Sequence, residues 1–267
     1  MADLYEEILK IKAEGGSAAV ATIIGTKGST PREVGAKMLI REDGTILGTI
    51  GGGCLEGKVF EEALKAIREE KPRTFHYDLT GREAAEVGMI CGGIMDIYIE
   101  PILPTPTVFI FGGGHISLFV SKISAMAGFQ VAVIDDRARF ANQERFPEAG
   151  QVIAEEFFLA FPQLKVNRSS YLVIVTRGHA YDQEVLEWAL NTEARYIGMI
   201  GSKKKIQTVY KNLEAQGTAR EKLQRVHAPI GLEIGALTPE EIAVSIVGQM
   251  IQVRREIKKG ETPGSRW

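Results

Sequence analysis

The sequence predicts an α/β protein: a C-terminal Rossmann-like doubly wound parallel sheet preceded by a smaller α+β N-terminal domain. Three observations carry that reading. The apolar run Val108-Phe109-Ile110-Phe111 breaks into Gly112-Gly113-Gly114-His115 and a helical pattern follows, the layout of a strand, a phosphate-cradling turn and a helix. A second apolar run, Val131-Ala132-Val133-Ile134, then ends on Asp135 and Asp136. From there strand and helix patterns alternate nearly to the end of the chain, which argues for a parallel sheet covered on both faces.

The N-terminal elements follow in order. An amphipathic helix is expected over residues 3 to 14, closed by Gly15-Gly16. A strand is expected at 18–24, and two more at 37–41 and 45–50 alternate around Asp43-Gly44, a hairpin signal. Gly51-Gly52-Gly53-Cys54 leads into a helix at about 55–70, and strands follow near 73–77 and 95–100. Pro101, Pro104 and Pro106 stiffen the chain and interrupt regular structure, so a linker at 101–106 separates a domain of residues 1–100 from one of 107–267.

In the second domain, strands are expected at 107–111, 130–135, 151–153, 171–176 and 195–200. Helices are expected near 115–127, 182–190, 202–216 and 238–258. The last is the best signalled: Thr238 suits the N-cap, Pro239 the first turn, and Glu241 completes a capping box.

Composition narrows the function. The chain has 267 residues and a net charge of −2, which offers no electrostatic footprint for nucleic acid. No apolar run reaches membrane-spanning length and the first residues lack a signal-peptide core, so a cytoplasmic protein is expected. The two cysteines, Cys54 and Cys91, do not make a disulfide framework.

Four constellations could carry chemistry. The turn Gly112-Gly113-Gly114, with His115 opening the helix, suits a phosphate, and Asp135, 23 positions after Gly112, suits a ribose hydroxyl. Ser117 stands at the third glycine position of that pattern, a loose match. Cys54 and Cys91 each adjoin consecutive glycines, including Gly52 and Gly53, so a ligand can approach either sulfur. They are either a thiolate pair for a soft metal or sulfur transfer, or small buried hydrophobes beside tight turns. Arg32 and Lys37 place positive charge near Gly28-Ser29-Thr30-Pro31, either as an anion clamp or as a solvated turn. His179 and Asp182 follow a strand at its ligand-binding end, as a proton-handling pair or as an exposed histidine beside an N-cap; Ser202 and Lys203 follow the next strand. His227 lies in a loop that can reach the same crevice. No nucleophile elbow or P-loop is present.

Taken together these blocks resemble the xanthine dehydrogenase accessory factor family, XdhC/CoxI, over nearly the whole chain. The resemblance rests on Gly28-Ser29-Thr30-Pro31-Arg32, Gly35-Ala36-Lys37-Met38, Gly48 through Glu56, Cys91-Gly92-Gly93, Gly112 through His115, Asp135-Asp136-Arg137, Thr176 through Asp182, Gly201 through Lys205, and His227 through Glu241. The chain has Arg177-Gly178 where many relatives look like His-Asp. The resemblance implies a cytoplasmic, homodimeric chaperone that binds molybdenum cofactor, shelters it while its terminal sulfur is installed, and delivers it to a xanthine dehydrogenase-type molybdenum hydroxylase. It implies a cysteine desulfurase partner, and it raises the expectation that Cys54 or Cys91 contacts molybdenum or its sulfur. The alternative is an NAD(P)-dependent oxidoreductase using the 112–114 turn. Xanthine dehydrogenase itself is disfavoured, because two cysteines cannot hold the iron–sulfur clusters it needs.

Overall fold

The computed structural model describes residues 3–78 and 93–255. The chain divides into two compact units, Met1–Pro104 and Thr105–Trp267.

The N-terminal unit is a five-stranded antiparallel sheet with helices on both faces. Strands β1 (Ala18–Lys27), β2 (Lys37–Arg41), β3 (Ile46–Gly48), β4 (Arg73–Asp78) and β5 (Ile94–Ile102) lie in the order β3-β2-β1-β5-β4. Helix α1 is Leu4–Glu14 and α2 is Gly53–Glu69. Period-two alternation on β1 assigns the faces: Ala19, Ala21 and Ile23 pack with Leu55, Val59 and Ala63 of α2, while Ala18 and Val20 pack with Ile11 of α1. Strand β5 runs into the expected linker, since Pro101 pairs with Ala19. It is tolerated because β4 pairs with β5 only as far as Ile99, so the residue without an N–H lies past the end of that ladder.

The C-terminal unit is a six-stranded parallel sheet in the order β11-β10-β9-β6-β7-β8. Its elements are β6 (Thr107–Phe111), α3 (His115–Met126), β7 (Gln130–Ile134), β8 (Gln151–Ile153), α4 (Phe157–Ala160), β9 (Ser170–Ile174), α5 (His179–Ala189), β10 (Tyr196–Met199), α6 (Lys203–Ala215), α7 (Arg220–Leu223), β11 (Val226–His227) and α8 (Pro239–Arg254). This is the doubly wound Rossmann order, and its switch point falls between β6 and β9. Both faces are buried, so the strands read as continuous apolar runs. Phe109, Phe111, Leu172 and Ile174 meet α5 and α6; Val108, Ile110, Tyr171 and Val173 meet α3 and α8.

Three differences from the expected elements have local causes. Helix α5 starts at His179, because Gly178 has an extended backbone and takes the cap position; Asp182 is a first-turn residue and no N-cap. The elements α4, α7 and β11 span two to four residues, too few to leave a periodic signal. Strands β7, β9 and β10 end one or two residues early, where the chain turns toward the ligand-binding edge of the sheet. No helix among the described residues is long and apolar enough to cross a membrane.

The capping box on α8 is formed, with Thr238 Oγ1 accepting from Glu241 N at 3.3 Å and Glu241 Oε2 accepting from Thr238 N at 3.1 Å. Thr238→Ala is expected to lower stability by about 1 kcal/mol. Urea unfolding checks this: the midpoint falls and the slope stays unchanged.

Candidate functional site

In the N-terminal unit, the glycine–cysteine loop is held by an acid that the sequence reading did not single out as a site residue. Glu56 Oε1 accepts from Thr49 Oγ1 at 2.5 Å, from Ile50 N at 3.1 Å and from Gly52 N at 3.0 Å. Burial pushes the Glu56 pKa up, but the Thr49 hydroxyl and the loop N–H groups outweigh it and hold the carboxyl below its ordinary value. Its place in the first turn of a helix, beside a glycine run whose amides need an acceptor, is the signal that could have found it. Gly51, Gly52 and Gly53 have φ of 141°, 82° and 64°, so the loop needs residues without a Cβ. Gly51 also lies against Pro31, whereas the space above Gly52 is open. Cys54 follows, exposed in the first turn of α2, which excludes the buried-hydrophobe reading for this thiol.

The Gly28–Arg32 loop touches both glycine blocks: Pro31 abuts Gly51, and the Ser29 carbonyl abuts Gly93. Cys91 lies outside the described residues, as does Gly92. Arg32 is exposed. Lys37 is drawn into the sheet instead of an anion clamp, its Nζ donating to Thr22 Oγ1 at 2.9 Å.

At the switch point of the C-terminal unit, Asp135 ends up where the sequence put it, but its oxygens are taken by the chain. Oδ2 accepts from Gly113 N at 2.8 Å and from Arg137 Nη2 at 2.8 Å. Oδ1 accepts from Arg137 N at 3.0 Å and from Arg137 Nε at 2.8 Å. A carboxylate offers about four lone-pair sites, so none remains for a ribose hydroxyl. Burial raises the Asp135 pKa, and these donors more than offset it, leaving the group below its ordinary value.

The glycines of the turn have separate tasks. Gly112 has φ of 108° and passes close to the Val175 carbonyl. Gly113 passes under the Phe140 carbonyl. Gly114 is the N-cap of α3 with open space above it, and His115 is exposed beside it. Ser117 is buried, and its hydroxyl donates to Gly112 O at 2.5 Å. The serine at the third position thus braces the turn.

The first turns of α5 and α6, which follow β9 and β10, are joined by a buried ion pair. Asp182 Oδ1 accepts from Thr176 Oγ1 at 2.7 Å, and Oδ2 pairs with the Lys205 ammonium. His179 is exposed and is no partner of this carboxylate, so the geometry does not make His179 and Asp182 a proton-handling pair. Arg177 joins the loop after β7 instead, donating to Asp136 at 2.7 Å and to the Tyr181 hydroxyl at 2.8 Å.

Two clefts open at this edge of the sheet. The larger, about 920 Å³, lies between the loop after β10, the loop after β11 and α8, and Lys203 and His227 line it. The smaller, about 460 Å³, is lined by His179, Lys204, Lys205 and Asn212; Ser202 belongs to both. No group of three or more His, Cys, Asp or Glu side chains suited to a metal occurs among the described residues.

Comparison with known proteins places these features. Residues 108–250 match the XdhC Rossmann domain, and residues 11–78 match the XdhC and CoxI family. The chain belongs to the XdhC and CoxI family. It is 36% identical to the uncharacterized protein YqeB of Escherichia coli (strain K12) over 97% of this chain, but spans only 47% of that protein. It is 24% identical to a probable xanthine dehydrogenase subunit of Bacillus subtilis (strain 168), covering 90% of this chain and 94% of that one. It is 22% identical to the molybdenum cofactor insertion chaperone PaoD of Escherichia coli (strain K12), covering 95% and 90%. A crystal structure described as a xanthine dehydrogenase from Bacillus halodurans superposes with a TM-score of 0.54 at 25% identity over 97% of each chain. The XdhC Rossmann match takes in the glycine turn, the smaller cleft and all of the larger cleft's lining except Gln252 and Val253, and the XdhC and CoxI match takes in Cys54 and Glu56.

Two outcomes follow from the buried acids. Lys205→Met removes the ion-pair partner of the Asp182 carboxyl at 0% side-chain exposure. A loss of about 3 kcal/mol is expected in chemical denaturation, partly recovered by adding Asp182→Asn. For Asp135, a folded pKa below the unfolded value means stability that is present above about pH 4 and lost as pH falls through the lowered pKa. Asp135→Asn is therefore expected to be less stable near pH 7, and to show a shallower loss of melting temperature below about pH 4 than the parent.

Proposed function

We propose that this protein is an accessory factor that binds the molybdenum cofactor, protects it while its terminal sulfur ligand is installed, and delivers it to a molybdenum hydroxylase of the xanthine dehydrogenase type. The observation that carries this reading is membership of the XdhC and CoxI family across two matched regions, 11–78 and 108–250. The likeness to a cofactor insertion chaperone over 95% of the chain supports it. A cysteine desulfurase, as the sulfur source, and a second copy of this chain are the proposed partners, and the cytoplasm is the proposed compartment.

The residues present fit such a ligand. The cofactor, when bound, supplies a sulfur-ligated molybdenum centre attached to a phosphorylated pterin. Cys54 offers an exposed thiol beside Gly52, whose open face admits close approach. Glu56 fixes that loop through Thr49, Ile50 and Gly52, so the thiol is presented from a rigid support. Cys91 is proposed as the second sulfur contact. Nothing comparable supports a nicotinamide-dependent oxidoreductase: the Asp135 oxygens are occupied, and exposed His179 makes no hydrogen bond to an orienting acid among the described residues.

The test is mass spectrometry of small molecules released from the protein purified from its native host. A pterin is expected; NAD(P) alone would overturn the reading. Cys54→Ala and Cys91→Ala are each expected to lower reconstitution of the target hydroxylase at least about tenfold, the scale of losing support to a metal's ligands. Wild-type reconstitution by both variants would remove the cysteines from the account.

A further inference from the structure

We propose that the C-terminal unit takes a phosphorylated heteroaromatic group in the larger cleft, with the ring against His227 and the phosphate at the mouth near Lys203, and not on the glycine turn. The proposal rests on the cofactor-binding function for its ligand class, the pterin phosphate or a nucleotide attached to it. What it adds is the place.

The glycine turn is already covered at Gly113, while Gly114 faces open space. Gly113 N–H is spent on Asp135, and a Cβ at Gly113 would lie 2.4 Å from the Phe140 carbonyl, so the chain itself occupies that face. Arg145 Nη2 donates to Gly113 O at 3.2 Å, and the Arg137 guanidinium lies 3.8 Å from the centre of the Phe140 ring. These contacts lay the segment after β7 across the turn. A phosphate seated there would have to displace an aromatic ring and the partners of a buried carboxylate.

The larger cleft is built for a ring. Its volume, about 920 Å³, falls within the range of small-molecule sites. Ile200, Ile230, Leu232, Ile242 and Val253 give it apolar walls. His227 lines it and stacks on buried Tyr196, with ring centres 4.7 Å apart and planes 21° apart. One face of the imidazole is thereby taken and one is left for a ligand. Burial holds the His227 pKa below its ordinary value, so near neutral pH the ring is uncharged.

The cleft is also preorganised and suitably charged. Gln249 Oε1 accepts from the Tyr196 hydroxyl at 2.6 Å and from Gly231 N at 3.0 Å, while Nε2 donates to Gly231 O at 3.1 Å. This amide ties the loop after β11 to α8. At the mouth, Lys203 and Lys204 have no ion-pair partner among the described residues, and Glu233 is the sole acid on the lining. The two lysines follow Ser202, the N-cap of α6, which lines both clefts.

The test measures anaerobic binding of two probes to the full-length protein: molybdopterin released from a molybdenum hydroxylase, and nucleoside 5′-monophosphates. Ala236→Trp fills the cleft from its rim, His227→Ala removes the platform, and Lys203→Glu reverses the charge at the mouth. Gly114→Ala adds a methyl over the glycine turn, in open space at an ordinary φ of −72°. Each cleft variant is expected to weaken binding about tenfold, and Gly114→Ala to leave it unchanged. The probe that binds identifies the pterin or the nucleotide as the group held. Loss of binding in Gly114→Ala with wild-type binding in the cleft variants would overturn the proposal while keeping the cofactor function. Failure of the wild-type protein to bind either probe would overturn both. Exposed Lys203 and open Gly114 keep the comparison valid should Ala236→Trp fail to fold.

Discussion

The carboxylate of Asp135 is the joint on which the ligand-binding face of the Rossmann unit depends. It is 1% exposed and accepts four hydrogen bonds, three from Arg137 and one from Gly113. A buried charge so fully paired is stable only as a set: remove a donor and the remainder is an uncompensated ion. That requirement fixes the end of β7 to the turn after β6, and the chain following Arg137 then covers the turn. A fold whose glycine turn ordinarily meets pyrophosphate has here closed that turn at Gly113 with its own chain. The large cavities lie further along the same edge, beyond β9 and β10.

The same device recurs twice. Glu56 gathers three donors and so fixes the loop that carries Cys54; Asp182 joins Thr176 to Lys205 and so fixes the loops after β9 and β10 to each other. In each case an acid in the first turn of a helix is spent on architecture. The groups left exposed are of another kind: a thiol at Cys54, imidazoles at His115 and His179, and ammonium groups at Lys203 and Lys204. This division of labour separates what positions the chemistry from what is free to meet a ligand.

The strands of the parallel sheet were legible because both faces are buried and the runs are uninterrupted; the helix cap at Thr238 was legible because it is local. Asp135 was legible as a position but not as a role. Its commitment to Arg137 depends on where a guanidinium folds back, which spacing does not encode. The Asp182–Lys205 pair joins residues on separate helices, so only the packed fold brings them together. The larger cleft was hardest to foresee. It is made by the loops after β10 and β11 and by α8, and of its lining only Ser202, Lys203 and His227 had been singled out as site candidates, the rest of the segment from His227 to Glu241 entering only as part of the family resemblance. Pro101 misled in the other direction, because a breaker is harmless where a strand outruns its neighbour.

The claim that the glycine turn is closed by its own chain can be examined at the atoms concerned. Titrating ¹⁵N-labelled protein with NAD⁺ and NADP⁺ to about 1 mM reads binding down to that affinity, and the amide resonances of Gly112, Gly113 and Gly114 report on the turn itself. The account predicts that these resonances stay where they are throughout both titrations. A saturable shift of Gly113 would contradict it, because it would place a pyrophosphate where the structure puts Asp135 and Phe140.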